Sequence, residues 1–186
     1  MPSSTSAPKK EVVLEIPQGV SVKQNGFQLE ISGKKGKIIK SFKNEFARIE
    51  VKEGKVRIYL LREKRSDLAV LGTWKSILES AFTGVTRGFI YTMKIVYAHF
   101  PVKVTVKGTQ VLLDNFLGEK SPRVIDVPSE VKVAVKGDTV TVEGSDLEVI
   151  GNAAAKIERM SKIKGFDPRV FQDGIYIVRK GDVVEA

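Results

Sequence analysis

Residues 49–58 read IEVKEGKVRI, and residues 133–142 read VAVKGDTVTV. In both, apolar and polar residues alternate on either side of a short turn containing glycine. A period of two puts every second side chain on one face, as a half-buried β-hairpin requires. A shift of 84 lays Ile49, Val51, Val56 and Ile58 on Val133, Val135, Val140 and Val142. The same shift lays Val20, Val22, Phe27 and Leu29 on Val104, Val106, Val111 and Leu113. A helical pattern follows each hairpin, aligned at a shift of 79: Leu68 with Leu147, Val70 with Val149, Leu71 with Ile150, Gly72 with Gly151. The difference of five is a loop of different length. A rival shift of 111 sets residues 16–33 over 127–144 with more identities. It pairs a first hairpin with a second one and leaves the rest of the chain without a counterpart. The chain therefore reads as an α+β protein: two tandem copies of an antiparallel β-sheet, each covered on one face by a single α-helix.

The helices follow from spacing. Leu71, Trp74, Leu78, Ala81, Phe82 and Val85 share one face of the first, with Ser66 placed as its cap. Leu147, Ile150, Ala154, Ile157 and Met160 share one face of the second, which opens on a capping box of Ser145 and Glu148. Trp74 and Phe82 read as core. Gln24-Asn25-Gly26 is a hairpin turn, since Asn-Gly accepts positive φ; Phe27, Leu29 and Ile31 continue the buried face beyond it. A closing strand follows each helix, at residues 88–98 and 174–178. The expected boundaries are a disordered tail over 1–11, a first domain over 12–97, and a second over 98–186 with an RNA-binding C-terminal segment.

Composition narrows the function. The 186 residues carry a net charge of +9, so polyanions are natural partners. Residues 1–98 hold 18 basic and 9 acidic side chains; residues 99–186 hold 13 of each. There is no cysteine, which excludes disulfides, thiolate catalysis and Cys-based zinc sites, and the single His99 excludes a His-pair metal site. His99, beside Phe100 and Pro101, reads as structural. The polar, Pro/Ser-rich start lacks the apolar stretch of a signal peptide, and no apolar run is long enough to span a membrane. A cytoplasmic protein is expected. No carboxylate pair or nucleophile constellation appears, so neither enzyme activity nor a cofactor is expected.

The stretch SGKKGK, residues 32–37, resembles a phosphate-binding loop only superficially. A Walker loop needs four residues between its glycines, a Ser or Thr after the lysine, and a helix to follow. Here two residues separate the glycines, Ile38 follows Lys37, and strands lie on both sides. It reads as a hairpin tip that displays Lys34, Lys35 and Lys37. Arg62, Lys64 and Arg65 form another basic loop ahead of the first helix. The densest cluster is C-terminal: Lys156 and Arg159 on the second helix, then Lys162, Lys164, Arg169, Arg179 and Lys180 among Phe166, Phe171 and Tyr176. Residues 156–180 hold seven basic and three acidic side chains. Cations interleaved with aromatics suit RNA, where phosphates take Lys and Arg and splayed bases stack. A solvated helix face and a packed tail would contain the same residue types.

Residues 68–104, and above all GVTRGF (84–89) and YAHFP (97–101), closely resemble the sixth protein of the large ribosomal subunit in its archaeal form. So does the ending FDPRVFQDGIYIVRKG, residues 166–181. The resemblance covers about residues 11–182. It implies two copies of a sheet-plus-helix unit, in agreement with the repeat. It also implies a non-enzymatic role: binding and stabilising large-subunit rRNA near the sarcin–ricin loop and the factor-binding side, with ribosomal proteins of the stalk base as neighbours. The principal contacts would be Lys156, Arg159, Lys162, Lys164, Arg169, Phe171, Gln172, Tyr176, Arg179 and Lys180. Lys34, Lys35, Lys37, Arg62, Lys64 and Arg65 would be secondary. The alternative from composition alone is a free-standing basic RNA-binding or RNA-chaperone module. Neither a membrane nor a small-molecule substrate is an expected partner.

Overall fold

A computed structural model describes residues 10–98, 100–165, 167 and 169–184. The chain divides into two compact units, one ending at Arg87 and the other starting at Gly88.

The first unit runs β1 (Lys10–Glu15), β2 (Ser21–Asn25), β3 (Gln28–Gly33), β4 (Gly36–Ser41), β5 (Ala47–Lys52), β6 (Lys55–Leu60) and α1 (Arg65–Thr86). Its strands form two antiparallel sheets, β2-β3-β4 and β1-β6-β5. Alternation delivers Leu29, Ile31, Ile38, Ile49, Val56, Ile58 and Leu60 to the core, and α1 adds Leu71, Trp74, Leu78, Ala81, Phe82 and Val85. Trp74 meets Phe42 edge to face, ring centres 5.3 Å apart. At the β5–β6 turn Glu53 and Gly54 both take positive φ, 50° and 73°. That geometry matches the right-handed twist of the strands it joins. Gly33 lies so close to α1 that a Cβ there would stand 2.7 Å from the Val85 carbonyl oxygen. The same oxygen accepts the Lys35 amide at 2.9 Å.

The second unit runs β7 (Phe89–Val96), β8 (Lys103–Lys107), β9 (Gln110–Asp114), a 3-10 turn (Phe116–Gly118), β10 (Arg123–Asp126), β11 (Lys132–Lys136), β12 (Thr139–Gly144), α2 (Leu147–Met160) and β13 (Gly174–Val183). Its sheets are β8-β9-β10 and β11-β12-β7-β13, again antiparallel. Met93, Val111, Leu113, Phe116, Val140, Val142, Ile150, Ala154, Ile157 and Ile175 lie in one core.

The α+β class and the duplication hold, with two sheets per copy where one was expected. Ile49 pairs with Ile58 and Val51 with Val56; Val133 pairs with Val142 and Val135 with Val140. The shift of 84 is therefore a true register in these hairpins. It fails in the sheets β2-β3-β4 and β8-β9-β10: Val104 faces Leu113, whereas Leu29 faces Gln24. The second hairpin turns two residues earlier than the shift requires.

The strand expected to close the first copy belongs to the second. β7 pairs with β12, Tyr91 opposite Val142 and Met93 opposite Val140, as β1 pairs with β6, Val12 opposite Ile58 and Leu14 opposite Val56. Each copy thus begins with this strand, and the division falls at 87/88 instead of 97/98. Alternation reveals a strand but not which sheet it completes. Among the described residues of the first unit, β13 has no counterpart.

Local corrections follow the same logic. Phe27 is 52% exposed because it is a turn residue beside Gly26. Ser66 lies inside α1, its hydroxyl 3.2 Å from Asp67 Oδ1, and Lys64 flanks the helix without a side-chain cap. Asp146, not Ser145, caps α2 by accepting the Glu148 amide at 3.0 Å. A carboxylate there also faces the positive end of the helix dipole. Lys10 and Glu11, assigned to the tail, pair with Leu60 and Tyr59 in β1. The rest of that tail, His99 and Phe166 lie outside the described residues.

Candidate nucleic-acid interface

In the second unit, Ile150, Ala153, Ala154, Ile157 and Met160 bury one stripe of α2. The 3.6-residue period turns Asn152, Lys156 and Arg159 outward together, and all three are exposed. Arg159, in the last turn, also complements the negative end of the helix dipole.

Three side chains fasten the end of α2. The Ser161 hydroxyl accepts the Ile175 amide at 2.8 Å, and Glu158 Oε1 accepts the Ile177 amide at 3.1 Å. Both amides belong to β13, an edge strand, so these bonds cover a sheet edge that would otherwise present open donors. From β10, Arg123 Nη1 donates to the carbonyls of Met160 and Lys162, at 2.7 and 3.1 Å. Its guanidinium also binds Glu119 through two nitrogens, at 2.8 and 2.5 Å, and lies 4.5 Å from the Phe116 ring centre. Hydrogen bonding from Arg123 holds the Glu119 carboxyl below its ordinary range.

The segment after α2 carries its own turn. The Asp167 side chain accepts the Arg169 amide at 2.9 Å, and its carbonyl accepts those of Val170 and Phe171. Asp173 is buried and accepts the Ala98 amide at 3.0 Å. On β13, the Tyr176 hydroxyl donates to the Gln172 carbonyl at 3.0 Å, and its ring lies against Gly174, where a Cβ would come within 3.1 Å of it. The pairing of β13 with β7 shifts register on both sides of Arg179. Such bulges re-aim side chains, and Arg179 and Lys180 stand exposed there.

A groove of about 520 Å³ runs between the end of α2 and β13, lined by Arg159, Lys162, Phe171 and Tyr176 together with Ala155, Ile163 and Ile175. On the other side of Ala155 and Arg159 lies a second concavity of about 370 Å³, bordered by Asn152 and Lys156. Of the ten residues read from the sequence, four meet in the first groove and Lys156 borders the second. Lys164, Arg169, Gln172, Arg179 and Lys180 are exposed and line neither. Arg123, Glu158 and Ser161 were not foreseen. Only the Glu119–Arg123 spacing hints at one of their contacts.

In the first unit, Lys34 and Lys35 form the exposed tip of the β3–β4 hairpin, and Lys37 pairs with Glu30 at 2.8 Å. Arg62 is already engaged: it donates to Asp67 at 2.9 and 3.3 Å and lies 3.5 Å from the Phe46 ring centre. Lys64 and Arg65 remain exposed.

The family model described as "Ribosomal protein L6" matches residues 16–88 and 100–174, one segment for each unit. The chain belongs to the ribosomal protein L6 family. Proteins called "Large ribosomal subunit protein uL6" are similar over nearly their whole length. That of Thermoplasma volcanium is 42% identical over 170 residues, 91% of this chain and 96% of its own. That of Archaeoglobus fulgidus is 43% identical, covering 92% and 90%, and that of Methanosarcina mazei 44%, covering 90% and 95%. The second L6 match ends at Gly174, where β13 begins. Tyr176, Arg179 and Lys180 thus lie on the strand that follows the matched segment, a strand without a counterpart among the described residues of the first unit.

Proposed function

We propose that the chain is a structural constituent of the large ribosomal subunit, in the cytoplasm, and that it binds and stabilises large-subunit rRNA through the end of α2, the segment after it and β13. The observation that carries this reading is the exposed group Lys156, Arg159 and Lys162, flanked by Phe171 and Tyr176, on backbone fastened by Arg123, Glu158 and Ser161. Fixed cations match phosphates of a folded RNA and release its counterions. Such contacts position the RNA, and its geometry supplies the selectivity. Lys164, Arg169, Gln172, Arg179 and Lys180 extend the surface. Lys34, Lys35, Lys37, Lys64 and Arg65 attract RNA or meet a neighbour from the first unit. The family resemblance adds a position near the sarcin–ricin loop and the factor-binding side, beside proteins of the stalk base. The role is one of binding, without catalysis.

The test is binding of the purified chain to large-subunit rRNA across a salt series, with excess tRNA as competitor. Binding that resists tRNA and falls steeply with salt supports the reading. Binding that tRNA abolishes makes the chain a general polyanion binder, the alternative that composition alone allows.

A further inference from the structure

We propose that the groove between the end of α2 and β13 receives one unpaired nucleotide of the bound RNA, its base against Tyr176 and Phe171 and its phosphates beside Arg159 and Lys162. The inference rests on the rRNA reading above and gives that surface a specific occupant.

Size is the first argument. About 520 Å³ falls within the range of small-ligand sites, about 300–1,000 Å³. A point contact to a phosphate needs no such space. The lining is the second. Ala155, Ile163 and Ile175 make apolar walls, two aromatic rings stand among them, and Tyr176 is 45% exposed. Every base has an apolar π-face that stacks on such rings.

The third argument is polar chemistry. Arg159 and Lys162 bring donors, whereas Glu158, also in the lining, brings a carboxylate acceptor. A site for phosphate alone has use only for donors. A base edge presents amino donors and carbonyl or ring-nitrogen acceptors, and needs both kinds of partner.

The groove is also pre-formed. Ser161 and Glu158 hold α2 to β13, Arg123 holds the helix end to β10, and the Tyr176 hydroxyl holds the segment before the strand. Little ordering remains to oppose binding. A paired base cannot enter, because its faces are stacked within the helix; a splayed one can. Arg159 and Ala155 border the second concavity as well, where Lys156 and Asn152 stand. A strand leaving the groove past Arg159 meets the next cation at Lys156.

The experiment uses the full chain and large-subunit rRNA. Ultraviolet cross-linking of the wild-type complex, mapped by mass spectrometry, joins a single nucleotide to the peptide holding Phe171 and Tyr176. Tyr176→Ala weakens binding about tenfold, in keeping with one lost stacking contact, and leaves the salt slope unchanged. Tyr176→Phe keeps the ring but not the bond to Gln172, and restores most of the lost affinity. Wild-type affinity in Tyr176→Ala, with no cross-link at 171–176 while tRNA-resistant binding persists, overturns the nucleotide site and leaves the rRNA reading intact. Loss of rRNA selectivity in the wild type overturns both. The wild-type cross-link decides the matter even if Tyr176→Ala fails to fold.

Discussion

The Ser161 hydroxyl accepts the Ile175 amide at 2.8 Å, joining the residue after α2 to the second residue of β13. Both residues are buried, at 4% and 1% exposure. Ser161→Ala leaves a buried donor without its partner, which costs about 1–3 kcal/mol. Urea unfolding followed by circular dichroism measures the loss, and the Ile175 amide exchanges faster with solvent. An unchanged midpoint would mean that this bond contributes nothing to holding β13 against α2.

The pair Arg62–Asp67 predicts an acid-sensitive first unit. The hydrogen bond from Arg62 holds the Asp67 carboxyl below its ordinary value of 3.8. The folded state therefore releases this proton more readily than the unfolded chain. Its stabilising effect is complete above 3.8 and is lost as pH falls through the depressed folded value. Asp67→Asn removes the charge and with it this dependence. Melting temperatures of wild type and variant should differ by a constant amount from neutral pH down to about 4, then converge in stronger acid. A gap that persists unchanged at the acid end would show that packing against Arg62, not charge, explains the variant's deficit.

Much of this architecture is legible because two periodicities are clean. Ile49, Val51, Val56 and Ile58 alternate without interruption, and their partners Ile58 and Val56 are reached across one short turn. The stripe from Leu71 to Val85 likewise needs only helical spacing. Contacts between distant segments leave no such trace. Arg123 reaches Met160 across 37 residues, and β7 reads as a strand while its partners stay hidden. The cations of the candidate site were visible as residue types. Helical spacing set Lys156 and Arg159 on one side of α2, but the meeting of Arg159 and Lys162 with Phe171 and Tyr176 was not visible, because contacts of Arg123, Ser161 and Asp167, and not any repeat, prepare it. Arg62 looked as free as Lys64 in sequence; its link to Asp67 and Phe46 separates the two.

Gly72 and Gly151, matched by the repeat, predict different outcomes. A Cβ at Gly72 meets nothing within 4 Å, whereas one at Gly151 stands 3.2 Å from the Tyr91 hydroxyl. Alanine in an exposed helix interior is favoured over glycine by about 1 kcal/mol. Gly72→Ala should stabilise the first unit by that order, read as a higher urea midpoint. Gly151→Ala should gain less, since Tyr91 must yield by a few tenths of an ångström for the methyl to fit. Equal gains would mean that the Tyr91 side chain moves aside freely.

Lys156 and Arg159 offer the sharpest test of where RNA is held. Both are exposed, so Lys156→Ala with Arg159→Ala should leave the unfolding midpoint almost unchanged. Each lost phosphate contact flattens the dependence of log affinity on log salt by about 0.7–0.9. The double variant should therefore bind large-subunit rRNA more weakly at low salt, with a slope shallower by about 1.4–1.8. Lys35→Glu, at the β3–β4 tip of the first unit, should weaken binding less than the pair. It reverses one charge at the exposed tip of a hairpin. The comparison is made in one titration series with all variants folded. A larger loss from Lys35→Glu would move the main footprint to the first unit. Unchanged binding by the double variant at moderate salt would remove α2 from the interface altogether.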